Sequence, residues 1–282
     1  MSHMEEMMIN AHFNSPGELL EHLGITIPEE IDIEAIAQYC GATIQYKDLK
    51  GCEARILGFN DRAVIAINRT SSRPRQRFSA AHELGHWMRD RGKVLFACNV
   101  AEMPSQWIQS NPETLANRFA SDLLLPLCLF LPRIDKKPIT FETVRKVATT
   151  FETSLTATAI RLVEHGSFPA MLICNSKKGR EWFLKTKDLP ASIWPVEEPG
   201  TRTIAFELLR CVAPICPPVD IPADEWFIHP RSGEYTIHEE SVRITDEFVL
   251  SLLWWKDENQ LIDLADEEER REARRSDRRE DD

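Results

Sequence analysis

The feature that most constrains this chain is a pair of histidines four residues apart, His82 and His86, inside a stretch, 74–91, that reads as one helix. Positions i and i+4 of a helix share a face, so the fold must bring two imidazoles to one point. Phe78, Ala81 and Leu84 dock that helix into a core, which leaves the histidines unneeded for packing. Glu83 stands beside the first of them. A zinc ion held by the pair would acidify a water, and the Glu83 carboxylate is placed to take its proton. The bland reading is two histidines on a helix surface. It leaves the spacing and the adjacent glutamate unexplained.

Such a site needs one more ligand and an open position. Glu113 is the best candidate, because it opens a second helix, PETLANRFASDLLLP, that Leu115, Phe119 and Leu123 can pin against the core. Asn111 can cap that helix, Pro112 suits its first position and Pro126 ends it. A carboxylate in a first turn also suits the positive end of the helix without any metal. Asn117, one turn on, could orient a ligand histidine by accepting from its free ring N–H. Plain interhelix hydrogen bonding explains it equally well.

Around these helices the chain reads as α+β. Short helices fill 16–40, strands follow at 42–46, 53–59 and 63–68, and two more helices lie in 140–166, with Ser154 as a cap. The stretch 93–110 reads as looser chain. After Gly166 the composition changes: a hairpin joins PAMLICN to REWFLK, prolines thicken between 190 and 222, and strands recur in EYTIHEE and EFVLSLLWW. The tail from 263 is a mixed-charge run with almost no apolar residue. A length of 282 residues accommodates two domains.

A net charge of −11 argues against a surface that is basic all over, and so against a DNA-binding transcription factor. Seven scattered cysteines without a CxxC pair suit a reducing compartment. The acidic first residues do not make a signal peptide, and the longest apolar run, 123–131, is too short to span a bilayer. The expectation is a cytoplasmic protein with no membrane partner.

QRFSAAHELGHWM followed by ETLANRFASDLLLP closely resembles the ImmA/IrrE family of metallopeptidases, and EEIDIEAIAQYCGATIQY, AVIAIN and SLTATAIRLVEHG fit its pattern over 28–166. The resemblance implies that His82, His86 and Glu113 hold Zn2+ and that Glu83 is the general base. With the composition change after Gly166 and the charged tail at 263–282, the chain divides into a domain at 1–166, which the resemblance implies is a zincin-like peptidase, and a mixed α/β domain at 167–262, which it implies is a sensor of GAF or PAS type. The resemblance also implies cleavage of a helix-turn-helix transcriptional repressor, relieving repression after DNA damage or another stress. A narrower likeness, to the peptidase associated with anti-phage CBASS operons, points to an anti-phage response.

Two regulatory expectations follow. The resemblance, with the basic cluster Arg69, Arg73, Arg75 and Arg77 and a second at Lys177, Lys178, Arg180, Lys185 and Lys187 with Trp182 and Phe183, suggests single-stranded DNA as activator, although charged hairpin edges that guard against aggregation explain the second cluster slightly better. Cys98, in the stretch between His86 and Glu113, could lay a thiolate over the open zinc position and act as a cysteine switch. A small buried hydrophobe is the plain alternative. The rival reading of the whole chain is a non-proteolytic regulator that binds a repressor or nucleic acid and keeps zinc for structure.

Overall fold

The computed structural model describes residues 13, 15–89, 111–210, 217–229, 231–257, 259–264 and 270, with the backbone of 95–98. The chain divides into two compact units. The first comprises Met1–Ile134 and Arg145–Thr158, and the second Asp135–Val144 and Ala159–Asp282.

In the first unit, helix α1 (Pro16–His22) begins where the Ser15 hydroxyl accepts from the Glu18 N–H at 3.2 Å. Helix α2 (Ile33–Tyr39) begins where the Asp32 carboxylate accepts from the Ala35 N–H at 3.0 Å, and it buries Ile33, Ile36 and Ala37. Both are side-chain caps of the kind that satisfies the orphan donors of a first turn. Strands β1 (Ala42–Lys47), β2 (Ala54–Phe59), β3 (Arg62–Asn68) and β4 (Leu95–Cys98) form a sheet ordered β1-β3-β2-β4. β1 runs parallel to β3, β2 turns back on β3 through Asn60 in the left-handed region (φ 51°), and β4 lies antiparallel along β2. In β3 every second residue, Ala63, Ile65 and Ile67, is buried, as expected of a sheet covered on one face.

That covering element is α3 (Arg73–Arg89), which packs against β1, β2 and β3 on one side and against α2 and α4 (Pro112–Leu124) on others. Eleven of its residues, from Arg77 to Trp87, are buried without a break. It is therefore a central helix and not an amphipathic surface one. Its last buried residue, Trp87, donates its indole N–H to the Cys40 carbonyl at 2.8 Å. Helix α5 (Leu127–Ile134) follows the break at Pro126. Helices α6 (Phe141–Phe151) and α7 (Leu155–His165) are separated by Glu152 at φ 52° and by Ser154, which accepts from the Ala157 N–H at 3.0 Å. The division between the units runs through α6 and α7. Among the described residues no single helix is long and apolar enough to cross a membrane; the bent pair α4 and α5 passes by length and composition only.

The second unit is built on an antiparallel sheet of β5 (Ala170–Ser176), β6 (Gly179–Lys185), β7 (Val219–Pro222), β8 (Thr236–Arg243) and β9 (Val249–Trp254), ordered β6-β5-β9-β8-β7. β5 is buried along its whole length, so it sits inside the sheet with both faces covered. Helix α8 (Ile204–Arg210) packs on β8 and β9, and a core of Met171, Ile173, Leu253, Leu208 and Trp226 fills the space between. Trp255 stacks on Phe227 at 5.3 Å and lies in the core, as the apolar run around it predicts.

One expectation needs correction. Leu95–Cys98, read as looser chain, is strand β4, because the open edge of β2 offers it a ladder from Ala54 to Leu57. The proline-rich stretch after 190 holds helix α8 and strand β7, whose Pro222 ends an edge strand, a position where a missing N–H costs no ladder bond.

Candidate metal centre

The site forms where α3 and α4 meet. His82 and His86 are 1 % and 2 % exposed, and their Nε2 atoms lie 3.1 Å apart. Glu113 reaches them from the first turn of α4, with Oε2 at 3.2 Å from His82 Nε2 and Oε1 at 3.3 Å from His86 Nε2. Its position follows from local sequence: Pro112 starts the helix and the Asn111 side chain accepts from the Glu113 N–H at 3.0 Å. Arg89, at the end of α3, donates to the Pro112 carbonyl at 3.2 Å and ties the two helices together beside the site.

Two imidazole nitrogens and a carboxylate converging this closely form a group able to hold a metal ion. Zinc bonds of about 2.0–2.1 Å in a tetrahedron put neighbouring ligand atoms about 3.3 Å apart, close to the distance between the imidazole nitrogens and to that of each nitrogen from one oxygen of the Glu113 carboxylate. His82, His86 and Glu113 are the one group among the described residues whose donor atoms gather in this way. The donor set therefore fits zinc. Asn117, one turn after Glu113, has its side-chain oxygen 2.8 Å from His82 Nδ1. Accepting from Nδ1–H fixes the tautomer that leaves Nε2 free for a metal. Burial, reinforced by the imidazole of His86, lowers the His82 pKa to about 4, so at neutral pH it is in the unprotonated form that a metal requires.

Glu83 is fully buried on the same helix, next to His82. Glu113, by contrast, is about half exposed, so the site is dry on the α3 side and open on the α4 side. The structure thus brings together His82, His86 and Glu113, with Asn117 against His82, while Glu83 is placed by its burial on the same helix. Cys98 is placed only by its backbone, at the end of β4 opposite Ala54; its side chain lies outside the described residues.

The basic clusters look different once folded. Arg69 forms a two-point ion pair with Asp48, at 2.5 and 2.6 Å. Arg73 pairs with Glu34 at 2.9 Å, an arrangement that with the Tyr46 hydroxyl holds the Glu34 carboxyl down to about 2 against the opposing effect of burial. Arg77 is 5 % exposed and donates to the Ile31 and Phe151 carbonyls at 3.0 and 3.5 Å. It is a clamp between α3 and the end of α6. In the second cluster Arg180 donates to the Pro195 and Val196 carbonyls, and Lys185 donates to that of Pro190. Most of these cations are spent on the protein itself.

Sequence reading missed Gly85. A Cβ there would stand 3.0 Å from the Phe119 Cβ, so the two helices touch at this point. A glycine in mid-helix was the available signal.

Comparison with known proteins agrees with this geometry. Residues 37–163 match the family model of the IrrE N-terminal-like domain, Peptidase_M78. This segment is a domain of the ImmA/IrrE family. The family is one of metallopeptidases, and the His–His–Glu cluster falls inside the matched segment. Among solved structures, a Mycobacterium tuberculosis transcriptional regulator superposes with a TM-score of 0.54 over 90 % of this chain and 76 % of its own, at 13 % identity. At that identity the likeness is one of fold. No curated protein matches the chain.

Proposed function

We propose that this protein is a zinc-dependent endopeptidase that cleaves a helix-turn-helix transcriptional repressor in a stress, DNA-damage or anti-phage response, acting in the cytoplasm. The observation that carries the catalytic part is the convergence of two imidazole nitrogens on the Glu113 carboxylate, each against one of its oxygens, with a buried carboxylate on the residue after His82. Under this reading His82, His86 and Glu113 are the ligands and Asn117 holds His82 in its ligand tautomer. Zinc supplies Lewis-acid polarisation and lowers the pKa of water towards neutrality. Glu83 accepts the proton of the attacking water and returns it to the leaving amine as the C–N bond breaks. Its burial keeps that transfer away from bulk solvent.

The repressor as substrate rests on family membership, and the fold shared with a transcriptional regulator is in keeping with it. The sheet of the second unit, with α8 against one face, supports a sensor domain of GAF or PAS type. Single-stranded DNA as activator gains no support from the basic clusters, most of whose side chains are already engaged. A switch at Cys98 would show as higher basal cleavage by Cys98→Ser at unchanged zinc content.

The test is to mix purified protein with the candidate repressor, follow the repressor on a gel and measure zinc in parallel. Wild type should cleave, and Glu83→Gln should retain zinc without cleaving. If wild type and Glu83→Gln both bind the repressor and neither cuts it, the rival reading, a regulator with structural zinc, takes its place.

A further inference from the structure

We infer that Gly85 and Phe119 form a contact that sets the spacing of the metal site, with Gly85 acting as a positioning residue. This deepens the zinc reading above and rests on it. Glycine is the poorest helix former after proline, and Gly85 lies four residues before the end of α3. Its backbone is helical, so no left-handed conformation calls for it there. The reason is lateral. A Cβ at residue 85 would meet Phe119 Cβ at 3.0 Å and Cγ and Cδ1 each at 3.2 Å, where ordinary contacts begin near 3.4 Å.

Rotating the Phe119 ring relieves only the last two of those contacts. The first involves an atom fixed to the α4 backbone, so a side chain at 85 forces the helices apart by several tenths of an ångström. The neighbours of the contact are the site itself: His86 follows Gly85 on α3, while Asn117 and Glu113 precede Phe119 on α4. Two ligands ride on one helix and the third on the other. Metal–ligand distances are held to within about 0.2 Å, so the displacement is larger than the site can absorb. The missing Cβ is thus what allows Glu113 and Asn117 to reach the histidines together.

The experiment is a metal titration of the full-length protein, with zinc and separately with cadmium, on wild type, Gly85→Ala and the swap Gly85→Ala/Phe119→Gly. The swap moves the missing Cβ to the other helix. Gly85→Ala should bind zinc at least about tenfold more weakly, in the range of a lost supporting residue, with the melting temperature of the metal-free protein nearly unchanged. Cadmium, a larger ion with longer bonds, should lose less, and the swap should regain most of the zinc affinity. Equal losses for both metals with a lowered metal-free melting temperature and no rescue would overturn the inference, since that is helix destabilisation alone. So would wild-type zinc affinity in Gly85→Ala. If wild type itself binds no zinc, the metal reading fails and this inference with it. Should Gly85→Ala not fold, the swap decides: folded with zinc affinity restored, it supports the contact; unfolded or unable to bind zinc, it overturns it.

Discussion

Each unit buries a carboxyl group completely, one inside a hydrogen-bond network and one on the helix that carries the two site histidines. Glu239 in the second unit is 0 % exposed and surrounded by donors: the Ala205 N–H at 2.9 Å, the Ser241 hydroxyl at 2.7 Å and the Trp226 indole N–H at 3.2 Å. Ser241 is in turn 2.8 Å from the Ser251 hydroxyl, so the network closes on itself. It pins α8 to β8. In the first unit Glu83 is equally buried, but its neighbours His82 and His86 turn their nitrogens towards each other and towards the half-exposed Glu113. A closed set of donors around one carboxylate stabilises a fold. A convergence of imidazole nitrogens on a carboxylate makes a group able to hold a metal ion. Burial alone does not separate a structural acid from a functional one.

The largest effect that could break this contrast is on catalysis. Glu83→Gln should lower repressor cleavage by about a thousandfold, within the 10²–10⁴ range of a lost general base, with zinc content unchanged in a metal assay. Asn117→Ala should weaken zinc binding by roughly 10–100-fold in a competitive chelator titration, because His82 loses the acceptor that sets its tautomer. Both variants should melt close to wild type in the metal-free state.

Glu239→Ala should do the reverse. Its removal strands the Ala205 and Trp226 donors in the core and should destabilise the protein by roughly 3 kcal/mol in denaturant unfolding, with zinc affinity unaltered. The smallest effect concerns pH. Burial raises the pKa of Glu239 above its usual 4.5. Its folded pKa thus exceeds the unfolded one, so the proton-linked part of its contribution to stability is fully present below about 4.5 and is lost as pH rises through the folded value. The stability difference between wild type and Glu239→Gln should shrink as pH rises through that window. A difference that grows with pH would show that the donors, and not burial, dominate.

Much of the first unit was legible in the sequence because its signals are local. The i, i+4 histidines, the Asn111-Pro112 start of α4, the alternation in β3 and the Ser154 cap each act within a few residues. Strand β4 was not legible: a four-residue run has no pattern of its own until the edge of β2 is there to pair with it. The same holds for the basic residues. Arg69, Arg73, Arg77 and Arg180 form clusters along the chain, but their partners, Asp48, Glu34, Phe151 and Pro195, lie between 15 and 74 residues away, and pairing makes Arg77 a buried clamp and Arg69 and Arg73 surface ion pairs.

The sequence by itself determined the chemistry on offer: two histidines on one helix face, a carboxylate beside them and a second helix opening with another. Only the tertiary structure decided that these become one site, since the reach of Glu113 and Asn117 depends on how closely α3 and α4 approach. That approach depends on a Cβ that Gly85 lacks and on an atom of Phe119, 34 residues further on, that would collide with it. Residue identity governs which atoms can bind a metal; the distance between helices governs whether they can do so together.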